Sequence, residues 1–276
     1  MNHRVLQQSR RILSGLALLL VAAIATFPFV YMIIVSLKPR VLTYDPSIWV
    51  FKPTLENYIS IFQARNLLHF AKNSFIVVIA TTLVSLALGS LAAYGFARFS
   101  FKKKEDLAFW ILSLRMLPPM ATVIPFFILA RLTGILDTHL VLILSYMTFN
   151  IPFSIWMMRG FFEEIPRQIE EAALVDGCSH WQVLTQILLP LSVPGLTATA
   201  IFCVIQSWNE FTFALFLTGI NARTLPTTVT FFLSVTGVIW GEMAAVGVVT
   251  ALPVLIFAML VQKHMIRGLT FGAVKQ

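Results

Sequence analysis

Charged side chains are scarce in this sequence. Only 12% of its 276 residues are charged, whereas 58% are hydrophobic. Because a typical soluble domain carries about 25% charged residues, this composition excludes an ordinary soluble protein. The formal net charge of +8 does not indicate a nucleic-acid-binding groove. The basic residues stand in short clusters between long apolar runs, which is how a membrane protein that crosses the bilayer several times is oriented.

Cysteine and histidine are also rare, and their positions exclude several kinds of site. The two cysteines, Cys178 and Cys203, are far apart and lack the spacing of a disulfide framework or a metal site. The five histidines are scattered, without a ligand pair at helical spacing. The sequence contains no GxxxxGK[ST] phosphate loop, so we expect the chain itself to bind neither ATP nor another cofactor. Any energy source must then be a partner protein.

Long apolar runs recur along the chain. Because a transmembrane helix needs about 20 predominantly apolar residues, the runs predict an all-α polytopic membrane protein with one transmembrane domain over 1–276. The six transmembrane helices are predicted at 12–37, 73–97, 107–132, 140–158, 193–217 and 243–262. Clusters of Lys and Arg at the span ends favour a topology with both termini in the cytoplasm, together with the loop 161–190.

The loop between the fourth and fifth predicted spans is the most informative stretch. Pro166 suits the first turn of a short helix, because its missing N–H would lack a helical partner there in any case. Gly177 is placed to end that helix in a left-handed turn. Ser179 and Gln182, three residues apart, predict a capping box at the start of a second helix, which Pro190 ends. On physical grounds alone, the loop could also be an amphipathic element resting on the membrane surface.

The same loop carries a long motif. It reads Glu171-Ala172-Ala173, then Gly177, then Ile187-x-Leu189-Pro190. The pattern E-A-A-x3-G-x9-I-x-L-P resembles the EAA motif of ABC importer permeases and matches it at every position. In that family the loop forms coupling helices that dock into a cleft on a separate ATPase subunit. The resemblance implies a coupling role for Glu171, Ala172, Ala173, Asp176, Gly177, Ile187, Leu189 and Pro190.

Further stretches resemble the carbohydrate branch of the same family. Asn57 and Tyr58 lie in a segment similar to the start of its first external loop, and Trp208-Asn209-Glu210-Phe211 resembles its W-N-[ED]-[FL] sequence. The C-terminal tail, 263–276, resembles that of the maltose-type second permease subunit, where the tail reaches into the ATPase dimer interface. The tail residues concerned are Gly268, Leu269, Thr270, Gly272 and Lys275.

These resemblances cover nearly the whole chain and imply its fold and its partners. The implied fold is the type I ABC importer permease (MetI-like) fold, in the cell inner membrane. The implied partners are a second permease subunit, two ATPase subunits that bind ATP and Mg, an external substrate-binding protein and the lipid bilayer. The implied substrate is a small carbohydrate, a sugar or sugar alcohol, and no nucleic-acid partner is expected.

Polar residues inside the predicted spans are candidates for the substrate pathway, because ionisable groups at such depth are costly. They are Arg115, Asn150, Trp208, Asn209 and Glu210. Each has a structural alternative. Arg115 could reach the cytoplasmic surface or pair with a carboxylate, Asn150 could bond to a neighbouring helix, and Trp208 could be an interfacial aromatic beside a polar helix end.

Two other classes of protein are weighed against this interpretation. A proton- or sodium-coupled secondary transporter would use ionisable residues within the spans, and Arg115 with Glu210 is the candidate pair. Six spans without a visible inverted repeat make a poor complete carrier. An intramembrane enzyme would need a nucleophile with a base, or a metal cluster, within the spans, and the sequence shows neither pattern. Both alternatives leave the motif in the loop unexplained.

Overall fold

The computed structural model describes residues 3–63, 65–234 and 237–270. The regular secondary structure of these residues is helical apart from one pair of two-residue strands, in agreement with the predicted all-α class. The helices are α1 (His3–Ser36), α2 (Glu56–Gln63), α3 (Leu67–Arg98), α4 (Lys104–Ser113), α5 (Pro119–Leu132), α6 (His139–Glu164), α7 (Arg167–Val175), α8 (His180–Gln182), α9 (Leu189–Leu191), α10 (Val193–Trp208), α11 (Thr212–Leu217) and α12 (Trp240–Thr270). Leu114–Met116 forms a 3-10 turn after α4, and Val183–Leu188 is a π-helical segment between α8 and α9.

Four uninterrupted helices in the described part of the chain are long and apolar enough to cross a membrane. Their candidate spans are Leu13–Ser36, Leu67–Arg98, His139–Glu164 and Trp240–Met259. Two bent pairs raise the number to six if each counts as one span: Lys104–Met116 with Pro119–Leu132, bent by 92°, and His180–Leu191 with Val193–Trp208, bent by 79°. The first bend lies at Pro118 and Pro119, whose rings cannot continue the hydrogen-bond ladder of α4.

The structure differs from the sequence prediction in the stretch 193–217. The prediction was one continuous span, whereas α10 ends at Trp208 and α11 begins at Thr212. Asn209 donates both its backbone N–H, at 3.1 Å, and its side-chain amide, at 2.8 Å, to the Ile205 carbonyl at the end of α10. Glu210 accepts the N–H of Phe213 at 2.9 Å, which satisfies a donor at the start of α11. The carboxylate of Glu210 thus caps the start of a new helix within the predicted span.

The described residues form two compact units, and the first combines the chain up to Leu67 with Val229–Leu252. Here Asn57, which is fully buried, donates to the carbonyls of Ser36 at 2.9 Å and Lys38 at 2.8 Å. It thereby satisfies carbonyls at the C-terminal end of α1. The same unit contains the strands β1 (Leu233–Ser234) and β2 (Gly237–Val238), which pair antiparallel with Leu233 opposite Val238.

The second unit contains Leu68–Thr228 and the chain from Pro253 onward. Its helices α3 and α6 approach closely at Gly89, where an added Cβ atom would collide with the Cβ of Ser154. At 3.3 Å from that position lies the Ser154 carbonyl carbon, which is backbone and cannot rotate away. A glycine is therefore required for this helix contact, as expected where small residues let helix backbones come together.

Candidate functional site

The loop between α6 and α10 has the turns that its sequence predicts, but the prediction that Pro190 ends the second helix is wrong. That helical stretch is π-helical over Val183–Leu188, and Pro190 lies within α9 (Leu189–Leu191). The helix α7 begins directly after Pro166. Gly177 has a φ of +90°, a backbone conformation that favours glycine. Ser179 accepts the N–H of Gln182 at 3.3 Å, and the Gln182 side chain accepts the N–H of Ser179 at 2.8 Å, so the predicted capping box is present. The backbone of the loop is thus fixed by proline, glycine and cap residues at its turns.

One face of this loop is open to solvent. Four of the eight motif residues are exposed on it: Glu171, Ala172, Asp176 and Gly177. Beside them, the side chain of Val175 is 87% exposed and that of Trp181 is 62% exposed. An exposed aliphatic and aromatic pair, bordered by carboxylates and small residues, has the composition of a protein-docking surface. We call this set of residues the loop's outer face.

The opposite face of the loop is packed onto two long helices, α3 and α6, toward their C-terminal ends. Ala173, Leu184 and Leu188 are buried there against Ala93 of α3 and Met158 of α6. Two further motif residues, Ile187 and Leu189, are partly buried against the same cluster, while Pro190 is exposed. In this structure the second half of the motif therefore anchors the loop, and most of the first half faces outward.

A buried ion pair also holds the loop, and the sequence interpretation missed it. The EAA motif singled out Glu171 but not its neighbour Glu170, which is buried and pairs with Arg98 at the end of α3. Of these two adjacent glutamates, Glu170 faces the membrane helices and Glu171 faces solvent. The basic residue at the end of α3 was the available signal, but spacing alone did not connect it to a position 72 residues away.

Arg115 occupies the 3-10 turn at the bend between α4 and α5. Its guanidinium donates to the Gln206 side-chain carbonyl at 3.0 Å and lies 4.8 Å from the centre of the Phe153 ring. Glu210 accepts the N–H groups of Phe213 and Ala214. In the part of the chain that the structure describes, Arg115 and Glu210 therefore form no ion pair, and the pair that a secondary transporter would need is not assembled.

The other polar candidates have structural partners. Asn150 is fully buried and donates to Ser207 Oγ at 2.8 Å, which links α6 to α10. Trp208 is 4% exposed and meets Phe75 edge to face, with the ring centres 5.1 Å apart. Asn209 remains exposed at the end of α10. Their assignment to a substrate pathway stays a prediction.

Asp137, which the sequence interpretation did not single out, organises a loop connection away from the EAA motif. Its carboxylate accepts four consecutive backbone N–H groups, those of Gly219, Ile220, Asn221 and Ala222, at 2.9, 3.3, 3.2 and 3.0 Å. Partial burial raises the pKa of this carboxyl, but the N–H groups of Ala222, Asn221 and Gly219 outweigh that effect and hold the pKa below its usual value.

Asp137→Asn is expected to lower the stability of the protein by about 1–2 kcal/mol at neutral pH, since an amide replaces a charged acceptor of several hydrogen bonds. Because the pKa of Asp137 is depressed in the folded state, its contribution is fully present above the unfolded value of about 3.9 and is lost as the pH falls through the folded pKa. Thermal unfolding in detergent at pH 7 and near pH 3 measures this. The difference between variant and wild type should shrink at the lower pH, and an unchanged difference would contradict the assignment.

The C-terminal residues are described in part. The helix α12 continues to Thr270, and so includes Gly268 and Leu269, beyond the predicted end of the sixth span at Gln262. Gly272 and Lys275 lie outside the described residues. Within the described residues there is no group of three or more His, Cys, Asp or Glu side chains placed to hold a metal ion.

Comparisons with known proteins bear on both the sequence and the fold. A family model for the binding-protein-dependent transport system inner membrane component matches residues 85–271. The chain is 37% identical over 271 residues to the trehalose/maltose transport system permease protein of Thermococcus litoralis, covering 96% of this chain and 97% of that protein. The match thus extends over nearly the full length of both proteins.

Two solved structures share the fold. A chain of a bacterial ABC transporter involved in the import of the acidic polysaccharide alginate superposes with a TM-score of 0.80 at 22% identity, over 95% of this chain and 98% of that chain. A chain of the inward-facing MetNI methionine ABC transporter superposes with a TM-score of 0.57 at 18% identity, over 74% of this chain and 95% of that chain. At these identities the likeness concerns the fold alone, and it confirms the predicted fold class.

Proposed function

Because this chain belongs to the family of inner membrane components of binding-protein-dependent transport systems, we propose that it forms half of the translocation pathway of an ATP-driven importer for a sugar or sugar alcohol. A relative that it matches over nearly its whole length is a trehalose/maltose permease protein, and a structural neighbour takes part in alginate import. These two comparisons support carbohydrate as the substrate class.

The observation that carries the proposal is the two-sided construction of the EAA loop. Its outer face presents Glu171, Val175 and Trp181 to solvent, whereas Ala173 and Leu188 are buried against the spans. A motor subunit can act on a membrane domain only through a surface that is exposed to the motor and firmly joined to the spans. This loop meets both conditions.

The proposed complex contains several partner proteins. The sequence has no phosphate-binding loop, so ATP and Mg would be bound by two ATPase subunits. Glu171 would offer its carboxylate to a basic residue of the ATPase, since charge-assisted hydrogen bonds are among the stronger polar contacts. A second, related permease subunit would supply the other half of the pathway, and an external binding protein would deliver the substrate. The C-terminal tail would reach the ATPase dimer interface.

The proposed mechanism uses the loop as a lever. Closure of the ATPase dimer around ATP would displace the outer face, and the buried cluster beneath it would carry that displacement to α3 and α6. The spans would then rock between inward-facing and outward-facing states. This mechanism requires both termini and the loop to be cytoplasmic, which the distribution of basic residues favours.

Co-purification with the candidate ATPase tests the proposal. The tagged chain, together with its partner permease, should retain the ATPase in detergent, and binding protein loaded with maltose or trehalose should stimulate ATP hydrolysis. Empty binding protein serves as the control. A chain that takes up sugar in membranes containing no ATPase would refute the importer and would favour a secondary transporter.

A further inference from the structure

The end of α3 and the start of α7 are joined by charged side chains that are hidden from solvent. The side chains of Arg98 and Glu170 are each 8% exposed, and Arg98 Nε bonds to Glu170 Oε1. A second guanidinium nitrogen of Arg98 donates to the Ile165 carbonyl at 3.1 Å. Arg167, the first residue of α7, donates to the Ala97 carbonyl at 3.4 Å. The turn between α6 and α7 is therefore bonded to the last turn of α3 on both sides, at Ile165 and at Arg167.

This ion pair is an unusual way to attach a loop. Removing two charges from water is costly, and a buried pair often stabilises a protein no better than apolar residues of the same size would. An apolar contact, however, has no preferred direction, so the cluster around Ala173 and Leu188 transmits a displacement of the loop but does not by itself fix the loop's orientation. A guanidinium bonded to both a carboxylate and a carbonyl fixes distance and orientation together. The pair thus supplies directional restraint that the apolar cluster lacks.

We propose that Arg98 and Glu170 are positioning residues that make α7 move as one body with the cytoplasmic end of α3. Displacement of the outer face at Glu171 is then delivered to α3 with the orientation of α7 relative to α3 preserved. This inference rests on the proposed function and deepens it. Two adjacent glutamates then have complementary roles: Glu171 contacts the ATPase, and Glu170 joins α7 to α3.

The test uses the full complex in proteoliposomes and measures sugar taken up per ATP hydrolysed. Glu170→Gln should lower this ratio by about tenfold, a size typical of coupling between sites, while the ATPase still co-purifies and still hydrolyses ATP. The exchange of both charges, Arg98→Glu with Glu170→Arg, should recover a large part of the ratio. Glu164→Gln, an exposed glutamate at the end of α6, is the matched control and should behave as wild type.

Two results would overturn the inference. One is a Glu170→Gln complex whose uptake per ATP equals that of wild type. The other is loss of the assembled complex that the charge exchange does not repair, which would mean that the pair only maintains the fold. Failure of the proposed function is distinguishable, because the wild-type complex would then show no ATP-dependent uptake at all.

Discussion

Glu171→Ala is expected to reduce uptake by about 30-fold or more, since losing one partner of a close interfacial charge contact costs about 2–5 kcal/mol. Glu171 is exposed on the outer face, so its removal should leave the fold of the membrane domain intact. The loss should therefore appear in ATPase binding and in sugar uptake, with an unchanged amount of protein in the membrane.

Gly177→Arg should have at least as large an effect, for a different reason. A φ of +90° at this position strains any residue that has a Cβ atom, and such strain costs about 1–3 kcal/mol. The new side chain would also occupy the exposed turn where a partner must approach. Strain would shift the end of α7, and the charge and bulk would block the outer face.

Matched controls are available within the same region. Gly160→Arg places the same side chain on an exposed glycine of α6, which has no neighbouring atom within 4 Å of an added Cβ. Glu164→Ala removes an exposed carboxylate that lies outside the EAA motif. Both controls should import sugar as the wild type does. Wild-type uptake by Glu171→Ala and Gly177→Arg would show that the EAA loop has no coupling role.

Gly89→Leu is expected to be the most destabilising substitution in the membrane domain. Overpacking of a close contact costs about 1–3 kcal/mol and sometimes more. The atoms in the way at Gly89 are the Cβ and the backbone of Ser154, so α3 and α6 would have to separate. Thermal unfolding in detergent, followed by loss of the monodisperse species, should show a clearly lower midpoint.

Gly95→Leu, in the same helix, is the matched control for that experiment. No atom lies within 4 Å of an added Cβ at Gly95, so leucine there should leave the unfolding midpoint near that of wild type. Equal destabilisation by both variants would mean that α3 tolerates no large residue anywhere. The close contact between Gly89 and Ser154 would then not be the cause of the lower midpoint.

The local structure of the EAA loop could be predicted from its sequence because it depends on neighbouring residues. A proline before α7, a glycine with positive φ after it and a capping box at Ser179 act within one turn of their own position. The bend in the third span follows similarly from Pro118 and Pro119. Such features need no knowledge of the tertiary structure.

Features that depend on distant partners could not be predicted in this way. Nothing in the sequence indicated that Glu170 pairs with Arg98, because the two residues are far apart in the chain and meet only in the folded protein. Asn150 and Ser207 are likewise 57 residues apart, so their hydrogen bond appears only in the folded chain. The break after Trp208 was missed because Glu210 caps a new helix, a role that apolar periodicity does not reveal.

The most direct test of the central claim is uptake by proteoliposomes that contain the permease pair and the ATPase subunits, with loaded binding protein on the outside. The account predicts that a labelled sugar accumulates only when ATP is enclosed, and that a proton or sodium ionophore does not stop it. Uptake that proceeds without ATP and collapses when the ion gradient is removed would contradict the account.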